Sequence, residues 1–248
     1  MSGHSKWANV KRRKGAQDAR RGKIFTKLIR EIATAARLGG GDPGANARLR
    51  LVLDKARAAN MPKETMTRAI TRGTGGGGEA AYDEVVYEGY GPGGAAVLVE
   101  GLTDNRNRTV GAVRHAFSRA GGSLGDPGCV SYLFEKKGLL LFEEVASGDA
   151  LLEAALEAGA EDVREAGGQF TVVSAPGALG EVKEALAAVG FAPAAVEVGM
   201  EPASTVPLEG EAAERMLKLA LALEDLDDVQ AVHANFDIAE ELLARFAG

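Results

Sequence analysis

The chain has 248 residues, 46% apolar and 26% charged, with a net charge of −6; this is the composition of a folded globular protein with room for two or three cores. It contains no run of about 18–20 apolar residues able to cross a bilayer, and it starts polar and basic where a secretory signal is apolar, so a cytoplasmic protein without a membrane partner is expected. Cys129 is the only cysteine, which excludes an intramolecular disulfide, and with His4, His115 and His233 widely spaced it predicts neither a zinc site nor another cofactor.

The net charge conceals a division. Residues 1–75 hold 18 Lys and Arg against 5 Asp and Glu, a balance of +13, whereas residues 76–248 hold 11 against 30, a balance of −19. Charge segregated in this way points to a polyanionic partner for the basic part.

Residues 1–17 have no apolar periodicity and read as an extended basic arm. A first helix is expected over 18–38, with Phe25, Leu28, Ile29, Ile32 and Ala36 on its core face and Lys23, Lys27, Arg30 and Arg37 as a basic stripe on another side. Asp42-Pro43 reads as the cap and first position of a second helix, which buries Leu49, Val52 or Leu53, and Ala56 and leaves Arg48, Arg50, Lys55 and Arg57 outside. Asn60 and Pro62 announce a third helix with Met66, Ala69 and Ile70 inward and Arg68 and Arg72 outward. Five glycines among residues 73–78 then mark a linker.

Beyond the linker the period changes to that of strands. Strands are expected over 82–90 and 95–102 around the Gly-Pro-Gly-Gly turn at 91–94, then a helix over 106–120 and a strand over 129–134. Residues 138–201 follow the order β-α-β-β-α-β, the ferredoxin-like pattern. A short strand near 205–206, a helix over 210–223 and a strand over 229–235 complete the middle unit. The fold class is therefore α+β in three domains: a basic arm and three-helix domain over 1–76, a discontinuous α/β domain over 77–136 and 203–248, and an inserted α/β domain over 137–202.

The candidate site is the basic segment. Lys6, Lys11, Arg12, Arg13, Lys14, Arg20, Arg21 and Lys23 place eight cations within 18 residues. A phosphate chain releases condensed counterions when such cations approach, which drives salt-sensitive binding, and arginine adds bidentate geometry. Trp7, the only tryptophan, lies in the arm, where a base can stack on it. Lys27 and Arg30 extend the surface along the first helix. Arg106, Arg108, Arg114 and Arg119 form a second, weaker patch on the helix after Asp104-Asn105, where the plain reading is a capped helix with surface arginines. The glycine clusters lack the Lys-Ser/Thr ending of a phosphate-binding loop, so no small-molecule substrate is expected. The pairs Glu143/Glu144, Glu224/Asp225 and Asp227/Asp228 read as solvated charge. No nucleophile or paired base is evident, so no catalytic residue is assigned.

The strings GHSKWANVKRRKGAQDARRGKIFTKLIREI, GGGDP, ANARLR, NMPKETMTRAITRG, TDNRNRTVGAVRHAF and DDVQAVHANFDI resemble the YebC/PmpR family from end to end. That family is described as DNA-binding transcriptional regulators; its mitochondrial relatives act as translational activators of cytochrome c oxidase, and bacterial members are linked to stalled ribosomes. The resemblance implies a helical N-terminal domain with two α/β domains, and nucleic-acid contact by Lys6, Lys11, Arg13, Lys14, Arg20, Arg21 and Lys23. Ala47 stands where the family pattern has proline and Cys129 where it has serine.

The expected function is a nucleic-acid-binding regulator of gene expression acting on DNA. The alternatives are action on ribosomal RNA or the ribosome as a translation factor, a metal-dependent nuclease using Asp227 and Asp228, or a protein-interaction module.

Overall fold

The computed structural model describes residues 18–75, 82–143, 145–166 and 168–239 together with Leu242, and side chains from residue 22 onward. The first unit is helical. Helix α1 (Asp18–Gly39) turns Leu28, Ile32, Ala35 and Ala36 inward, and α2 (Ala47–Ala58) and α3 (Lys63–Gly73) pack against it. Their core adds Leu49, Val52, Leu53, Ala56, Met61, Met66 and Ala69. Each large aliphatic side chain withdrawn there contributes roughly 1.5–3 kcal/mol. Gly73 permits the close approach of α3, because a Cβ there would stand 2.2 Å from the Ala33 carbonyl oxygen.

The second unit is an antiparallel sheet. Strands β1 (Asp83–Tyr90), β2 (Ala96–Thr103), β3 (Ser123–Leu124) and β9 (Val229–Ala234) lie in the order β3-β1-β2-β9. Helices α4 (Arg106–Ala120) and α7 (Gly210–Glu224) cover one face. Val97, Val99, Val113, Phe117, Met216, Leu223 and Phe236 fill the layer between. The β1–β2 turn needs glycine at Gly93 and Gly94, where φ is +70° and +79°.

Between these segments runs the third unit, with β4 (Phe134–Phe142), α5 (Gly148–Glu157), β5 (Asp162–Ala166), β6 (Gln169–Ser174), α6 (Leu179–Ala188) and β7 (Ala195–Pro202). Its sheet order β5-β6-β4-β7 is the ferredoxin-like arrangement. After these elements the chain returns to the preceding sheet, where β9 pairs antiparallel with β2. A parallel ribbon of β8 (Val206–Pro207) and β10 (Phe236–Asp237) closes the return.

The two sheet units meet through Ala96, Leu98 and Val130, with Leu133, Phe134 and Met200 packed alongside. The Met200 N–H donates to Nδ1 of His233 (3.4 Å), which leaves Nε2 as the donor to Glu100 at 3.0 Å. Nearby, the buried Glu88 carboxylate accepts N–H bonds from Gly128, Val130 and Ser131, each at 2.8 Å. Burial opposes its ionisation, yet those three N–H groups outweigh it and hold the carboxyl below its usual range.

Three local expectations are corrected. Asp42-Pro43 forms a turn, with Asp42 accepting from the Gly44 N–H (2.9 Å), and the α2 cap is Asn46. The buried Asn46 side chain accepts from the Leu49 N–H (3.0 Å) and donates to the carbonyls of Ala35 and Gly40, both 2.8 Å. These extra partners decide between two capping residues of similar propensity. No strand begins at Cys129: a tight turn spans Ser131–Leu133, and β4 starts at Phe134. Lys55 is half-buried beside Glu31 at 3.8 Å rather than solvated. The glycines from residue 76 to residue 78 lie outside the described residues.

Candidate nucleic-acid interface

Of the expected cations, Lys6, Lys11, Arg12, Arg13 and Lys14 lie outside the described residues, as does Trp7; Arg20 and Arg21 belong to α1, but their side chains are not among those described. The stripe that follows them is bound within the molecule. Lys23 Nζ meets Asp225 Oδ1 at 2.5 Å, and Lys27 Nζ donates to the Glu224 carbonyl at 2.7 Å. Arg30 Nη1 donates to the carbonyls of Leu102 (3.1 Å) and Asp227 (2.9 Å) and to Asp228 Oδ1 (2.5 Å). Its guanidinium also lies over the Tyr82 ring, 5.2 Å from the centroid. Arg37 donates to the Tyr82 carbonyl (2.6 Å), and Arg48 pairs with Glu84 (2.6 Å). The basic side of α1 therefore docks on the C-terminal end of α7, where cations complement the helix dipole and the last carbonyls.

Asp228 is the centre of this junction. Oδ2 accepts from Thr109 Oγ1 (2.7 Å) and Arg108 Nη2 (2.8 Å), while Oδ1 accepts from Arg108 Nη2 (3.0 Å) as well as from Arg30. Thr103 Oγ1 stands 3.4 Å from Oδ2. Burial opposes ionisation, but hydrogen bonds from Thr109, Arg108 and Arg30, with the charge of Arg30, outweigh it and keep the carboxyl below the usual range. Arg30, Asp104, Arg108, Thr109, Ala112, Leu226, Asp227 and Asp228 line an open cleft beside it.

The second patch divides. Arg106 pairs with Asp83 (3.0 Å), and Arg108 is shared between Asp104 (2.6 Å) and Asp228. Arg114 and Arg119 are exposed on α4, and neither forms an ion pair among the described residues. Asn105 caps that helix by accepting from the Arg108 N–H at 3.0 Å. His115 is exposed. On the helical unit, Arg50 and Arg68 are exposed, and Arg57 pairs with Asp54 at 2.7 Å.

The reading of Asp227 and Asp228 as solvated charge holds for Asp227, which is exposed and joins the docking only through its carbonyl, and fails for Asp228, which is buried against Arg30 and Arg108. The one signal at hand was Asp-Asp directly before a buried strand, which does not say which cation answers it. Among the described residues, no group of three or more His, Cys, Asp or Glu side chains is placed to hold a metal ion, and no helix is long and apolar enough to cross a membrane.

A basic helical unit clasped to a larger, acidic pair of α/β units is the architecture of a known family. Residues 5–76 match the model of the TACO1/YebC protein N-terminal domain, and residues 82–236 match that of the TACO1/YebC second and third domain. The chain belongs to the TACO1/YebC family, as its motifs suggest. A "Probable transcriptional regulatory protein" of Geotalea uraniireducens is 57% identical over 241 residues, covering 97% of this chain and 98% of that one. Another so named, from Syntrophotalea carbinolica, is 54% identical over 248 residues, the full length of both chains. The crystal structure of the conserved hypothetical protein Aq1575 from Aquifex aeolicus superposes with a TM-score of 0.85 at 50% identity, covering 91% of this chain and 94% of that one.

Proposed function

We propose that this chain is a cytoplasmic, non-catalytic, nucleic-acid-binding regulator of gene expression, and that it acts on DNA. The observation that carries the reading is the segregation of charge: +13 over residues 1–75 against −19 over the remainder. Two family relatives bear the name of probable transcriptional regulators, which favours the DNA-level version. Contact is assigned first to Lys6, Lys11, Arg12, Arg13, Lys14, Arg20 and Arg21, with Trp7 as a stacking platform, and second to Arg114 and Arg119. These are phosphate contacts, which position a protein without reading sequence. The domain limits 1–76, 77–136 with 203–248, and 137–202 belong to this reading.

The metal-nuclease alternative finds no support in the geometry, because Arg30, Arg108 and Thr109 already occupy the Asp228 carboxylate. Filter binding with duplex DNA and with ribosomal RNA fragments, alongside co-sedimentation with ribosomes, tests the proposal. Duplex binding that falls steeply with salt, with no ribosome association, is the expected result. Preference for ribosomal RNA with ribosome association would transfer the function to translation.

A further inference from the structure

The structure places a stripe of α1 cations against an acidic segment, and in sequence the stripe follows directly on the leading cations. Lys23, Lys27 and Arg30 follow a spacing of four and three, so they share one side of α1 over about 10 Å at 1.5 Å per residue. That is about three steps of a duplex measured along its axis, where each strand carries one phosphate per roughly 3.4 Å. Every described acceptor facing them between residues 224 and 228 is an oxygen: the carbonyls of Glu224, Asp225 and Asp227, and the carboxylates of Asp225 and Asp228.

We infer that residues 224–228 act as an intramolecular substitute for a phosphate chain, masking the α1 stripe until a polyanion displaces them. The inference rests on the nucleic-acid reading and adds a regulated surface to it. Two features make the exchange inexpensive. Lys23 and Asp225 are exposed, with 45% and 72% of their side-chain surfaces open to solvent, so the outer end of the clasp is already hydrated. At the inner end, Asp228 keeps Arg108, Thr109 and Thr103 as donors when Arg30 leaves, so no unpartnered carboxylate remains. Arg30 in turn exchanges two carbonyls and a carboxylate of the segment and its neighbour Leu102 for phosphate oxygens, which suit its fork. Binding and release of the segment are then linked: whatever weakens the clasp strengthens binding, by up to the same factor.

The 2.5 Å contact between Lys23 Nζ and Asp225 Oδ1 permits a direct test. A water-soluble carbodiimide joins touching amine and carboxylate groups without a spacer, and mapping of the cross-linked peptide reports the closed state. The full-length protein is treated alone, and again with a short fluorescein-labelled duplex DNA whose binding is followed by anisotropy. We expect the Lys23–Asp225 link in the free protein and its disappearance as the duplex saturates. Asp225→Asn should bind the duplex about threefold more tightly, whereas Glu153→Gln, an equal charge change on exposed α5, should not. An undiminished link at saturating duplex, no link in the free protein, or equal tightening in both variants would each overturn the inference while the nucleic-acid reading stands. A protein that binds neither the duplex nor the RNA of the same sequence would overturn both.

Discussion

Arg30 and Asp228 stand 198 positions apart in the chain and meet at 2.5 Å, with only 13% and 9% of their side-chain surfaces exposed. A charge pair so withdrawn is tolerable because the remaining lone pairs of the carboxylate are taken by Arg108 and Thr109. Removing one member therefore costs more than the pair itself contributes. Asp228→Ala should lower stability by roughly 3 kcal/mol, since the withdrawn Arg30 loses its counter-charge while Arg108 keeps only Asp104. Urea unfolding measures it; a loss under about 0.5 kcal/mol would mean that the junction is open in solution.

Glu88 gives the fold an acid-sensitive staple. Its folded-state pKa is depressed, so the carboxylate adds stability above its unfolded pKa. That stability drains away as the pH falls below the ordinary glutamate range and through the folded-state value. Asp228 carries the same sign. Glu88→Gln points an amide donor or a weaker acceptor at three N–H groups, and should cost about 2 kcal/mol at neutral pH. The variant should also show a shallower loss of stability between neutral and acidic pH; an unchanged acid profile would contradict the assignment.

Two neighbouring capping candidates make opposite predictions. Asn46→Ala removes a cap and takes the side-chain donor from the buried carbonyl of Ala35 and the partly buried one of Gly40, so a loss near 2 kcal/mol is expected, of the order that a missing cap and an unmade buried hydrogen bond bring. Asp42→Ala removes one exposed turn hydrogen bond and should cost only about 0.5 kcal/mol. Thermal melts of the two variants, run side by side, decide the matter; equal losses would refute it.

Gly73→Ala tests the packing of α3 on α1. A Cβ at that position would meet the Ala33 carbonyl oxygen at 2.2 Å and the Ala36 Cβ at 2.8 Å, so α3 must shift. A destabilisation of about 1–3 kcal/mol follows from overpacking, against the gain in helix propensity that an exposed glycine-to-alanine change would bring. A rise in melting temperature would show that the helices are more loosely packed.

Much of this fold was legible because the signals were local. Phe25, Leu28, Ile29 and Ile32 at helical spacing defined α1, and the ferredoxin-like order of residues 138–201 followed from the alternation of helical and strand patterns. Asn46 was missed because its choice as cap depends on carbonyls of the preceding helix and its end, at Ala35 and Gly40. The extension of β4 back to Phe134 depends on pairing with Pro202, a partner no local pattern names. The same limit governed the site. That Lys23, Lys27 and Arg30 are cations on one helix side was plain from spacing, whereas their partners sit some two hundred positions away and emerge only from the tertiary arrangement.

The proposed function depends most on the leading cations meeting a phosphate chain. Binding of a labelled duplex to the full-length protein and to the variant with Lys11, Arg12, Arg13 and Lys14 all changed to alanine, followed over a range of salt concentrations, measures that directly. The variant should bind more weakly across unrelated sequences, and its plot of log affinity against log salt should be flatter by about one unit for each phosphate it no longer neutralises. Identical slopes and affinities for the two proteins would contradict the proposal.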